Sequence, residues 1–218
     1  MPLPTDLLAA IVDLDGTMVD TLGDFVVALN AMLAELTLPT VTPAFVERTV
    51  GKGSEHLVRS TLAQVGADAA LFAAAFAGYQ KHYQTTNGLH SAVYPGVVAG
   101  LERLRARGLK LACLTNKPGA FARPLLVAKG LERFFSIVHG GDAFERKKPD
   151  PLPLLKTCAA LGVAPSRTLM IGDSRNDAQA ARAAGCPVAL VSYGYNHGEP
   201  VHAVPADLLI DRIDALPL

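Results

Sequence analysis

The sequence has no excess of charge of either sign: twenty Lys and Arg residues offset twenty Asp and Glu residues. Without a net field there is little to hold a polyanion such as nucleic acid or an anionic membrane surface, so a small-molecule partner is expected instead. Cysteine is scarce. The three present, Cys113, Cys158 and Cys186, are odd in number, widely spaced and flanked by apolar residues, which excludes a disulfide framework and leaves buried thiols in a reducing compartment. No apolar run approaches the roughly 20 residues that a membrane span needs; the longest, 69–77, is short and alanine-rich. The first residues carry no basic segment, and Asp13 and Asp15 interrupt the apolar run that follows. No signal peptide is read there and a cytoplasmic location is expected. Internal repeats, low-complexity tracts and charged tails are also missing.

What remains is an ordinary globular composition, 50% hydrophobic and 18% charged over 218 residues. That length suits one full domain plus a smaller insertion and is too short for two large independent domains. Residues 7–14 form an apolar run that ends in acidic residues and Gly16, the pattern of a fully buried strand entering a loop. From residue 20 to about 83 the pattern turns helical. Phe25, Val26, Leu29, Met32, Leu33 and Leu36 follow a helical period, Asp20 or Thr21 can cap the start, and Pro39, Pro43, Gly51, Gly53 and Gly66 divide the segment into three or four helices.

After Tyr94-Pro95-Gly96 the chain alternates: helix 97–107, strand 109–114, helix 118–129, strand 136–139, helix 151–161, strand 168–171, helix 174–184, strand 188–191. Alternation at these lengths implies right-handed crossovers and a parallel sheet covered on both faces. The expected fold is α/β, a Rossmann-like doubly wound parallel sheet with a small inserted helical cap. The core is read as residues 1–18 and 90–218 and the cap as 19–89. Oligomeric state is left open between monomer and homodimer.

Such sheets bind ligands in the crevice outside the carboxyl ends of their strands. Three assigned strands end in reactive side chains: Asp13-Leu14-Asp15-Gly16-Thr17, Thr115-Asn116, and Gly172-Asp173 with Asp177 beyond; Lys147-Lys148-Pro149 lies in a loop between the last two. Carboxylates crowded at one point repel one another unless a hard cation sits between them, and an all-oxygen set facing a phosphate suits Mg²⁺. A carboxylate that attacks phosphorus gives an acyl phosphate and splits hydrolysis into two easier steps, with a neighbouring acid to protonate the leaving alcohol and activate water. Asp13 and Asp15 fit those roles. Lys148 and Thr115 are candidates to neutralise charge on the phosphoryl oxygens.

Taken together, Asp13-Leu14-Asp15-Gly16-Thr17, Leu114-Thr115-Asn116, Lys148-Pro149 and Gly172-Asp173-Ser174-Arg175-Asn176-Asp177 resemble, in order and spacing, the four motifs of the haloacid dehalogenase superfamily. The resemblance covers nearly the whole chain. It implies a phosphatase in which Asp13 is nucleophile and metal ligand and Asp15 is acid/base and lends its backbone carbonyl to Mg²⁺. Asp173 is then a further ligand, and Asp177 a ligand or the residue that orients metal-bound water. Lys148 is favoured over Lys147 because the superfamily's lysine directly precedes the proline. Within the superfamily, Val50-Gly51-Lys52-Gly53, Val93-Tyr94-Pro95-Gly96-Val97, Gly140-Gly141-Asp142 and Tyr193-Gly194-Tyr195-Asn196-His197-Gly198 are most similar to bacterial phosphoglycolate phosphatases. That likeness implies a mobile cap with the loop from Gly51 to Ser54 facing the substrate. It also implies hydrolysis of 2-phosphoglycolate, whose carboxylate backbone amides and Lys52 would clamp. Thr115, Asn116, Lys148, Gly51 and Lys52 are thus the candidate substrate-binding residues.

Other readings fit less well. Another small phosphorylated metabolite, or a sugar phosphomutase on the same scaffold, would use the same motifs. A dehalogenase needs no metal, and the intact Asp15, Asp173 and Asp177 argue against it. Gly51-Lys52-Gly53-Ser54 is not a nucleotide phosphate loop, since Val46 stands where that loop has glycine. The serines lack a nucleophile-elbow sequence. The six histidines form no metal-spacing pair and read as surface or packing residues. Asp173 and Asp177 also suit a helix cap and a first-turn acid, and Asp177 can do both jobs.

Overall fold

A computed structural model describes residues 3–217. Its centre is a six-stranded, all-parallel sheet built from β1 (Ala9–Val12), β4 (Lys110–Leu114), β5 (Ile137–His139), β6 (Thr168–Gly172), β7 (Val188–Val191) and β8 (Leu208–Ile210), in the order β5-β4-β1-β6-β7-β8. Strand periodicity decides where each side chain goes. Ala10, Val12, Leu111, Cys113, Leu169 and Ile171 fall on one face, packed with α5 (Val97–Ala106) and α6 (Gly119–Ala128). Ala9, Ile11, Ala112, Leu114 and Met170 fall on the other, against α7 (Leu152–Leu161) and α8 (Arg175–Ala184). The two central strands β1 and β6 are buried along their whole length, which is why they read as continuous apolar runs rather than as alternating ones. All three cysteines are free and buried.

The expected doubly wound sheet is thus present, with three differences. The first strand is shorter than the run 7–14, because the chain turns into its loop at Asp13. The edge strand β8 was not foreseen: it has three residues, one of them the exposed Leu209, too few to show a period. A two-residue antiparallel ribbon, β2 (Val19–Asp20) with β3 (Ala92–Val93), was also unforeseen. It clips together the two chain crossings between which α1 (Leu22–Glu35), α2 (Pro43–Thr49), α3 (Ser54–Gln64) and α4 (Phe72–Thr86) are inserted.

Those four helices have a core of their own around Leu29, Met32, Leu33, Val46, Leu62 and Tyr79. Phe121 and Tyr195 extend into it from the sheet domain. Asn30 pins the 36–42 connection by a two-way hydrogen bond with Val41, 2.8 and 3.1 Å. In the sheet, the chain builds outward from β1 through β4 to β5 on one side and then crosses to β6, β7 and β8 on the other, and a crevice opens at the carboxyl ends of the strands where the order reverses in this way.

Candidate active site

Asp13 is the first residue beyond β1. Its N–H still follows the sheet, donating to the Ile171 carbonyl at 2.9 Å, while its carboxylate accepts from the N–H of Leu14 at 2.7 Å. The loop then tightens, as the Leu14 carbonyl takes the N–H groups of Thr17, Met18 and Val19. Gly16 has φ +78°, and a Cβ there would lie 2.4 Å from an Asp173 carboxylate oxygen, so only glycine allows this approach.

Asp173 is held from two sides, by the Thr17 hydroxyl at 3.0 Å and the Tyr195 N–H at 2.8 Å. Asp177 divides its carboxylate between two tasks. One oxygen caps α8, accepting from the N–H and hydroxyl of Ser174 and from the N–H of Asp173. The other accepts from Lys148 at 2.7 Å. Lys148, 3% exposed, also contacts Asp13 at 3.1 Å and donates to the Leu114 carbonyl at 2.9 Å. Lys147 beside it is exposed.

Carboxylate oxygens of Asp13, Asp173 and Asp177 lie within 4.8 Å of one another. Unit charges at roughly that spacing repel by about 1 kcal/mol in water and several-fold more at the lower effective dielectric of a protein. Burial pushes the Asp13 carboxyl up to about 7, with Lys148 opposing and Asp177 and Asp15 adding to the rise. Asp173 is driven well above the ordinary range by burial and then by Asp177 and Asp13. Burial works to lower Lys148, but Asp13 and Asp177 outweigh it and hold the ammonium above its usual range. One ammonium does not balance three clustered carboxylates, two of them buried, and the donor set is all oxygen, so the cluster fits a divalent cation.

Asp15 points elsewhere. Its carboxylate accepts from the Thr21 hydroxyl and from Lys117, both at 2.9 Å. Buried Thr115 and Asp15 share the wall of a cavity of about 570 Å³, its open mouth included, that Asp13 and Asp173 also line. Asn116 acts as a brace: its side chain exchanges hydrogen bonds with the backbone of Lys148 and donates to the Gly51 carbonyl at 2.9 Å. Asn176 donates to the same carbonyl at 3.1 Å. Gly51 lines the cavity, whereas Lys52 is exposed and outside its wall.

Sequence reasoning missed several residues. Lys117, which follows Thr115-Asn116 directly, was not singled out from the sequence, yet it is 5% exposed. Tyr195 ties the site to the first inserted helix: its hydroxyl accepts from the N–H groups of Thr21 and Leu22 at 2.7 and 3.0 Å and donates to Asp20 at 2.8 Å. His197, grouped with the other histidines as a surface or packing residue, lines the cavity. Both its ring nitrogens are buried and unpaired, and burial, followed by Lys52, lowers its pKa. The one available signal was the Tyr193–Gly198 motif itself, whose small residue Gly194 admits Asp173: a Cβ there would lie 2.1 Å from that of Asp173.

The family model of haloacid dehalogenase-like hydrolases matches residues 10–191, from β1 to the end of β7. The chain belongs to this family. The hydrolase is 46% identical to a phosphoglycolate phosphatase of Thiobacillus denitrificans over 97% of its own length and 94% of the relative's. It is 44% identical to a plasmid-borne phosphoglycolate phosphatase of Cupriavidus necator, over 96% and 91%. A crystal structure of a predicted phosphoglycolate phosphatase from Haemophilus somnus superposes with a TM-score of 0.90 at 32% identity, covering 96% of each chain. This hydrolase is therefore an enzyme of the family's phosphatase type, and its acidic cluster is suited to a divalent metal. Among the described residues no helix is long and apolar enough to cross a membrane.

Proposed function

We propose that the enzyme hydrolyses 2-phosphoglycolate to glycolate and phosphate through an aspartyl-phosphate on Asp13. The observation that carries this reading is the floor of the cavity, where one oxygen of Asp13 is backed by Lys148 and faces the carboxylates of Asp173 and Asp177. Asp13, Asp173 and Asp177, with the carbonyl of Asp15, would hold Mg²⁺, which when bound supplies positive charge for the phosphoryl oxygens. An Asp13 oxygen forms a bond to phosphorus as the bond to the ester oxygen breaks, and Asp15 gives that oxygen a proton. Asp15 then takes a proton from water as the water oxygen bonds to phosphorus, and the Asp13–phosphoryl bond breaks to release phosphate. Lys148 supplies positive charge behind Asp13, and Thr115 in the cavity wall offers its hydroxyl to the phosphoryl oxygens. The relatives of high identity and near-complete coverage support the substrate.

The test is phosphate release, with Mg²⁺ present, from 2-phosphoglycolate and from a panel of sugar, nucleotide and triose phosphates. A kcat/KM preference for 2-phosphoglycolate above about tenfold, roughly 1.4 kcal/mol of differential transition-state binding, is expected. A flat profile, or another substrate ahead, would leave the chemistry standing and reject this substrate.

A further inference from the structure

The site contains a second buried lysine for which the chemistry above has no use. Lys117 leaves the end of β4 and lies under the inserted helices, its side chain 2% exposed. Its ammonium bonds Asp15 at 2.9 Å, donates to the Tyr83 hydroxyl, and sits over the rings of Phe25 and Tyr83, 4.6 and 4.8 Å from their centroids. Those rings are stacked 5.1 Å apart, and Tyr83 meets Phe121 edge-on, so the wall around the ammonium is fixed in place. Lys117, Asp15, Phe25 and Tyr83 all line the cavity that holds Asp13.

Counting donors separates the two lysines. An ammonium has three N–H groups. Those of Lys148 have three acceptors: Asp13, Asp177 and the Leu114 carbonyl. Lys117 has two acceptors among the described residues, Asp15 and Tyr83. A buried cation with one N–H unclaimed, at the edge of a cavity, is a place for an anion, and a charge-assisted bond formed away from water is a strong one. Lys52, by contrast, is exposed outside the wall.

We infer that Lys117 selects and positions the substrate. Its third N–H takes a carboxylate on the substrate while its first holds Asp15, so a phosphomonoester with a carboxylate one carbon from the ester oxygen has that oxygen set beside Asp15. This rests on the proposed hydrolysis and deepens it: the same ammonium both recognises the short acid and aligns the residue that protonates its leaving group. A neutral alcohol in place of the carboxylate leaves Lys117 as it is and forgoes the alignment.

The experiment compares kcat/KM of the Mg²⁺-loaded enzyme for 2-phosphoglycolate and for 2-hydroxyethyl phosphate, in which CH₂OH replaces the carboxylate. The native enzyme is expected to favour the acid by about 100-fold, the scale of a charged hydrogen bond in a closed site. Lys117→Met is expected to bring that ratio below about threefold, with most of the loss on the acid, and Lys117→Arg to restore part of it. Loss by the same factor on both esters would make Lys117 a purely structural residue and overturn the inference, as would a native enzyme with no preference. If Lys117→Met does not fold, Tyr83→Phe keeps the ring and loosens the ammonium, and must lower the ratio by at least about threefold; an unmoved ratio overturns the inference. Hydrolysis of neither ester by the native enzyme would reject the proposed function itself and this inference with it.

Discussion

The floor of the active site and its cap-facing wall hold a lysine each, and the two are built on opposite terms. On the floor, Lys148 is enclosed by acceptors and every carboxylate is fixed by backbone or hydroxyl donors, so the groups are over-determined. On the wall, Lys117 rests on aromatic faces with a single carboxylate partner. The floor is made of strand ends in one sheet, which cannot shift separately. The wall is shared between two units joined by a two-residue ribbon and by contacts such as Asn116 and Asn176 on the Gly51 carbonyl. Chemistry that every family member performs belongs on the first kind of surface, and discrimination between substrates on the second.

The comparison breaks most sharply at Asp13. Asp13→Asn is expected to lower kcat by more than about 10⁴-fold, since the proposed chemistry runs through a bond from Asp13 to phosphorus; turnover above a hundredth of native would remove Asp13 as the nucleophile. Chelation of divalent cations should come next, with a loss of more than about 100-fold that Mg²⁺ restores. Mg²⁺ at about a hundred times its dissociation constant should also stabilise the folded protein by about 2.7 kcal/mol, a rise in melting temperature that Asp173→Asn should abolish. If melting is indifferent to Mg²⁺, the acidic cluster is not a metal site.

The two lysines then separate by stability. Lys148→Met leaves Asp13 and Asp177 buried without their counter-charge and should cost about 3–5 kcal/mol, read as a lower urea midpoint. Lys117→Met should cost less, because its partner Asp15 retains the Thr21 hydroxyl and its site keeps the aromatic packing. Equal costs would erase the distinction between floor and wall. The smallest effect belongs to the tie between them. Tyr195→Phe removes the hydroxyl that serves Asp20 and the N–H groups of Thr21 and Leu22; the Leu22 N–H keeps Asp20 at 3.2 Å, and the buried Thr21 N–H is left unpaired at about 1–3 kcal/mol. It should raise KM more than it lowers kcat, measured by steady-state kinetics.

Much of the fold was legible because β1, β4, β6 and β7 are apolar runs separated by amphipathic helices, and a parallel sheet needs both. The edge strand β8 was not, since three residues carry no period. The floor was legible for a related reason: Asp13, Thr115, Asp173 and Asp177 each lie at or just beyond the end of a readable strand, and Lys148 lies next to a proline. The wall was not. Lys117, Tyr83, Phe25, Tyr195 and His197 come from β4's exit, two inserted helices and a late loop, and apart from the Tyr193–Gly198 motif nothing in their local sequence distinguishes a buried lysine from a solvated one or a lining tyrosine from a core one. Lys52 shows the converse, since it lies between two glycines in the loop expected to face substrate and yet is exposed.

The sequence alone determined the parallel sheet and the end of the sheet at which Asp13, Asp173 and Asp177 gather, because local periodicity and strand ends are local properties. The tertiary structure alone decided that Lys117 is buried against Asp15, which partners the Asp15 carboxylate takes away from the acidic cluster, and where the cavity is walled. Those depend on which surfaces exclude water from a charge, and burial is a property of the assembled chain that no stretch of sequence carries by itself.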